Sequence, residues 1–75
     1  MRAKYVMTPG EIPVVFPLYV AHDTFKNLNP ISAGFVNVDS NRVVDAFGDS
    51  VSLNLKSRER DAKIIQLAFN IHERF

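Results

Sequence analysis

The sequence predicts an α+β fold: an antiparallel sheet of four to five strands with one C-terminal helix packed on one face. Three observations carry this reading. A Pro9-Gly10 turn separates two β-rich arms, a second pair of arms flanks Ser40-Asn41, and helical periodicity runs from Ser57 onward. With 75 residues and no internal repeat, low-complexity stretch or second hydrophobic cluster, residues 1–75 read as one domain. A chain of this size buries only about 60–65% of its unfolded surface, so its core is thin and association is one expected source of stability.

The first arm, Lys4 to Thr8, leads into Pro9-Gly10, where Pro presets one dihedral and Gly supplies the positive φ of a type II turn. Glu11 to Phe16 is then the second arm of a hairpin. Pro13 cannot donate to a ladder, which places that arm at a sheet edge or breaks it, and Pro17 closes it. From Leu18 to Ile31 neither period holds, and Asp23-Thr24, Asn27, Asn29 and Pro30 are turn or cap residues. A loop is expected there, with at most a short helical turn through Phe25 and Lys26 capped by Asp23, pinned to the core by Tyr19, Val20 and Phe25.

Ser32 to Asp39 and Arg42 to Phe47 predict a hairpin around Ser40-Asn41, because Asn tolerates the left-handed conformation. After a turn at Gly48-Asp49-Ser50, Val51, Leu53 and Leu55 alternate with Ser52, Asn54 and Lys56, which predicts a strand with one buried face. Ser57 is placed to cap a helix running to about Arg74, with Glu59 and Asp61 in its first turns where the macrodipole favours negative charge. At 100° per residue its apolar positions, from Ala62 through Ile65 and Phe69 to Phe75, span about 200°. That is wider than one sheet face covers.

Composition excludes several function classes. No Cys is present, so disulfides, thiolate zinc sites and a thiol nucleophile are absent, and a reducing, cytoplasmic setting fits. The longest apolar run, Val14 to Ala21, contains Pro17 and falls well short of the roughly 20 residues of a membrane span, and no secretory leader pattern follows Met1, so no membrane role is expected. Glycines at 10, 34 and 48 are too scattered for a phosphate cradle. The only histidines are His22 and His72. His22 precedes Asp23, but neighbours in a strand or turn point apart, so the expected role is a ring bonded to loop backbone and not a catalytic dyad. His72 falls near the middle of the helix's apolar arc and reads as a core or interface residue. Asp61 shares that arc, about 16 Å away along the axis, too far to pair with it. No metal, no cofactor and no catalytic residue is expected.

Two surfaces remain. The basic run Lys56, Arg58, Arg60 and Lys63 surrounds the helix N-terminus, where free N–H groups attract anions. With Ser57, the residues Lys56, Arg58 and Arg60 are a candidate anion contact. A formal net charge of +1 disfavours nucleic acid as the partner, and Glu59 and Asp61 interleave with the bases. That near-neutrality is a sum of an acidic stretch, Asp39 to Asp49, and this basic cluster. The second surface is the excess apolar arc of the helix, with Ile65, Phe69, His72 and Phe75 as the candidate interface for another protein or a second copy.

Two stretches carry a resemblance: Phe16-Pro17 through His22 with Phe25 to Phe35, which includes Pro30-Ile31-Ser32-Ala33-Gly34, and Gly48 through Arg58 with Asp61-Ala62. Together they resemble a group of small bacteriophage and bacterial proteins with no assigned function, over about two thirds of the chain. In that group a Pro often stands where Glu59 stands here, which suits a first helical turn. The resemblance implies a phage or prophage origin and carries no site residue onto this sequence. Taken together, the sequence reads as a non-catalytic accessory protein that binds another protein or itself, with anion or nucleic-acid binding through Lys56–Lys63 as the alternative.

Overall fold

A computed structural model describes the backbone of residues 1–73 and the side chains of residues 1–69. Four strands form one antiparallel sheet: β1 (Arg2–Met7), β2 (Pro13–Phe16), β3 (Ser32–Val38) and β4 (Val44–Phe47), in the order β2-β1-β3-β4. Two short strands, β5 (Asp49–Ser50) and β6 (Leu55–Lys56), make a second small sheet, and one helix, α1 (Glu59–Glu73), follows. The fold is α+β, as the sequence predicts. Pro13 opens β2, which lies at the sheet edge where its missing N–H removes no ladder bond.

The β1–β2 and β3–β4 hairpins close in the same way, which corrects the type II turn expected at Pro9-Gly10. Thr8 O accepts the Glu11 N–H (2.9 Å) and Thr8 N–H donates to Ile12 O (3.2 Å). The positive φ falls on Glu11 (61°), not on Gly10. In the second hairpin Asp39 O accepts the Arg42 N–H (3.0 Å), Asp39 N–H donates to Val43 O (3.2 Å), and Arg42, not Asn41, is left-handed (φ 64°). Each is a three-residue connection whose last residue is left-handed, a geometry that suits the twist of the flanking strands. A side chain reinforces each turn: Thr8 Oγ1 accepts the Ile12 N–H (3.2 Å), and Asp39 Oδ1 accepts those of Asn41 (2.8 Å) and Val43 (3.0 Å).

The connection from β2 to β3 is more helical than expected. His22–Leu28 is a 3-10 segment interrupted at Phe25 (φ −106°, ψ 16°) and ended by left-handed Asn29 (φ 53°). Asp23 lies inside its first turn and Ala21 stands at the N-cap without a side-chain bond, so the expected Asp23 cap does not form. Tyr19 corrects a second expectation, being 89% exposed where a core anchor was predicted. Val20 and Phe25 do the anchoring.

Of the strand predicted over residues 51–56 only the last two residues, Leu55 and Lys56, are extended. Asn54 is left-handed (φ 55°) and donates its N–H to Val51 O (3.2 Å), so the chain reverses over residues 51–54, and only the two residues on each side of that turn pair, as β5 and β6. Apolar–polar alternation fits this tight hairpin as well as a strand, and the Asn decides between them. Val51 is 89% exposed at the reversal, while Leu53 and Leu55 still pack inward.

The strand period assigns residues to two faces. Ala3, Tyr5, Met7, Val36 and Val44 form one face and take Ile65 of α1 into the core, with Ile64 and Phe69 packed against them. Val6, Phe16 and Ala33 form the other, covered by Val14, Val20, Phe25, Leu53 and Leu55. Gly34 lets the layers close. A Cβ there would stand 2.6 Å from Phe47 O and 3.2 Å from Ser57 Cβ, so a side chain at this point would push the end of β4 and the segment before α1 away from β3. No helix among the described residues is long and apolar enough to cross a membrane.

Candidate functional site

The strongest concentration of polar chemistry is built around Asp61, which is 0% exposed. It occupies the third residue of α1, and its position follows from the helix start. Ser57 is not the cap: its Oγ and its N–H both bond Gly48 O (2.8 and 3.0 Å). Asp61 instead reaches back, accepting the Arg58 N–H on Oδ2 (3.0 Å), while the Asp61 N–H donates to Arg58 O (3.1 Å). This is the carboxylate half of a capping box, with Arg58 at the cap.

The same carboxylate faces the sheet. Oδ2 also accepts the Tyr5 hydroxyl (2.6 Å) and the Ser32 hydroxyl (2.7 Å), from adjacent strands β1 and β3. Oδ1 accepts Arg58 Nε (2.9 Å) and lies 2.8 Å from Arg58 Nη2. The guanidinium then turns to Glu11 at the tip of the first hairpin, with Nη1 donating to Oε1 (3.2 Å) and Nη2 to Oε2 (2.9 Å). One carboxylate therefore joins β1, β3 and the α1 N-terminus, and Arg58 extends the chain to the β1–β2 turn.

Electrostatics follow from these contacts. Burial alone would raise the Asp61 carboxyl, but hydrogen bonds from Tyr5, Ser32 and Arg58 outweigh it and hold the group below the ordinary carboxylate range. Burial, and then the bond to Asp61, pushes the Tyr5 hydroxyl well above its ordinary value. Paired first with Glu11 and also with Asp61, the Arg58 guanidinium is raised too. A carboxylate offers about four lone-pair sites, and five donor contacts occupy them. Asp61 thus has no acceptor left for a substrate proton or a cation. As a chemical object the cluster is a closed clamp.

His22 is also buried, on the opposite face of the sheet. Its Nε2–H donates to Gly34 O (2.9 Å), and its ring meets Phe16 and Phe35 edge-on at 5.5 and 5.7 Å. The partner is a β3 carbonyl, not the loop backbone that the sequence suggests, and Asp23 points to solvent. Among the described residues no group of three or more His, Asp or Glu is arranged to hold a metal ion.

The candidate anion residues come together only in part. Arg58, Glu59, Arg60 and Lys63 line an open groove of about 660 Å³ at the start of α1. Arg58 is ion-paired with Glu11 and Asp61, and the Ser57 hydroxyl is bonded to Gly48, which leaves Lys56, Arg60 and Lys63 exposed. The candidate interface divides as well. Ile65 is 0% exposed and belongs to the core, so it is no docking contact; among the described residues of the helix, Leu67 is the large apolar side chain that stands exposed. Phe69 is half-buried against the same core, and the side chain of His72 and the whole of Phe75 lie outside the described residues. Asp61 is the residue that sequence reasoning missed as a hub. Its signal was a carboxylate on the apolar stripe of a helix. Comparison with protein-family models, with curated proteins and with solved structures returned no match to this chain.

Proposed function

We propose that this chain is a non-catalytic accessory protein that acts by binding another protein, or a second copy, through its exposed loop side chains. The observation that carries the reading is a contrast. The buried ionisable cluster is saturated, whereas Tyr19 and Val51 each stand 89% exposed on the loops that cover one face of the sheet. Tyr19 contributes nothing to this core, and Tyr is enriched where interfaces concentrate their binding energy. A phage or prophage source rests on the resemblance of residues 16–22, 25–35, 48–58 and 61–62 alone.

The test compares baits in affinity capture from a cell lysate: wild type, and a Tyr19→Ser, Val51→Ser double variant whose circular dichroism matches the wild type. A partner retained by the wild type and lost by the variant supports the reading, and light scattering of the wild type at two concentrations gives the self-association arm. Equal capture by both baits, with a monomer at both concentrations, removes it.

Anion or nucleic-acid binding at the α1 start is the second reading, favoured by the groove that Arg60 and Lys63 line with Arg58. Glu59 in the same groove and the pairing of Arg58 weigh against it. Arg60→Ala and Lys63→Ala are the informative substitutions, since Arg58→Ala would unseat the helix. No retention of DNA or RNA in a low-salt mobility shift removes this reading.

A further inference from the structure

The four-stranded sheet has two edges, β2 and β4, and an edge strand offers unpaired N–H and C=O groups to any extended chain. Which groups face outward follows from the ladder. Thr8 N–H bonds Ile12 O, so Ile12, Val14 and Phe16 turn toward β1 while Pro13 and Val15 turn out. Pro13 has no N–H and neither has Pro17, which leaves Val15 as the single outward donor of that edge. On β4, Asp39 N–H bonds Val43 O, so Val43, Asp45 and Phe47 turn toward β3 while Val44 and Ala46 turn out. No proline interrupts this edge. Gln66 of α1 lies across it instead: Oε1 accepts the Val44 N–H (2.8 Å) and Nε2 donates to Arg42 O (2.8 Å). The amide bonds the strand much as the backbone of a neighbouring strand would.

We propose that Gln66 holds shut a strand-pairing surface on β4, and that the partner this surface fits is β4 of a second copy. An antiparallel pair with Val44 opposite Val44 of the second copy, about a two-fold axis, lets those two residues exchange two backbone bonds. It also brings the Ala46 N–H of each chain to Arg42 O of the other. Two of the groups used, Val44 N–H and Arg42 O, are the ones Gln66 occupies. That register sets Asp45 against Val43 of the second copy. The neighbouring register, with Ala46 opposite Val44, sets Asp45 against itself and is opposed by like charge.

The experiment is light scattering of Gln66→Ala, which keeps helix propensity and removes the amide. Its mass at high micromolar concentration is expected to double over that of the wild type, and adding Val43→Asp, which places a carboxylate opposite Asp45, is expected to restore the wild-type mass. A Gln66→Ala variant with native circular dichroism and the wild-type mass at every concentration overturns the proposal, as does association that survives Val43→Asp. Should Gln66→Ala fail to fold, hydrogen exchange of the wild-type Val44 amide decides. Strong protection supports the closed edge, and exchange at the rate of an open amide refutes it.

Discussion

Replacing Asp61 by Asn keeps the shape of the side chain and removes its charge. Three donors converge on Oδ2 (Tyr5 Oη, Ser32 Oγ and Arg58 N) and two on Oδ1 (Arg58 Nε and Nη2). Whichever way the amide is turned, its NH2 group meets at least two donors and accepts none, and Arg58 loses its buried partner. Removing one member of a buried ionic group costs about 3–5 kcal/mol, and because Arg58 is partly open to solvent the lower end applies, about 3 kcal/mol. A domain of this size has roughly 4–11 kcal/mol in total at about 0.05–0.15 kcal/mol per residue. The variant therefore loses a quarter or more of its stability, and its Tm falls by about 12–24 °C at about 4–8 °C per kcal/mol. Urea titration followed by circular dichroism reads the loss directly. A change under about 1 kcal/mol refutes the clamp. Pairing Asp61→Leu with Tyr5→Phe is expected to cost less than the sum of the two single changes, because it leaves one fewer buried donor unmatched.

Stability should fall at both ends of the pH range. Asp61 is depressed in the folded state, so its contribution is complete above the ordinary carboxylate range and is lost as pH drops below about 4 toward its folded value. Tyr5 is raised in the folded state, so its contribution is present below its ordinary 10.0 and is lost as pH climbs above that. Urea midpoints across pH check both limbs, and a flat profile below pH 4 contradicts the first. Gly34→Ala forces a Cβ to within 2.6 Å of Phe47 O and should cost about 1–3 kcal/mol, read from the same titration. Glu11→Gly removes a half-exposed ion pair worth about 0–1 kcal/mol and relieves a left-handed non-glycine residue worth about 1–2 kcal/mol, so Tm should hold or rise slightly.

Much of the frame was legible because it is local. Pro9-Gly10 and Ser40-Asn41 lie between β-rich arms, Pro13 marks an edge, and the helical period from Glu59 is regular. Expectations failed where a single backbone angle or a distant partner decides. Left-handed Asn54 turns an apparent strand into β5 and β6, and Glu11 takes the conformation that composition assigns to Gly10. The Asp61 cluster joins residues 56 and 29 positions apart in the chain, Tyr5 and Ser32, and no local pattern links them. It was visible only as a misfit, a carboxylate on the apolar stripe of a helix. Ile65 illustrates the same limit: an arc of apolar residues does not reveal which of them the sheet consumes. The structure answers by burying Ile65 and leaving Leu67 exposed.

Asp61 is an ionised, fully occupied clamp and not a carboxyl poised for proton transfer. Following its side-chain carboxyl carbon by NMR as pH is lowered tests this directly. The geometry predicts that the signal stays that of a carboxylate below about pH 4, where ordinary aspartates protonate, and that it moves together with the loss of folded structure. A titration near neutral pH in a chain that remains folded would contradict it, marking Asp61 as a group with a proton to give.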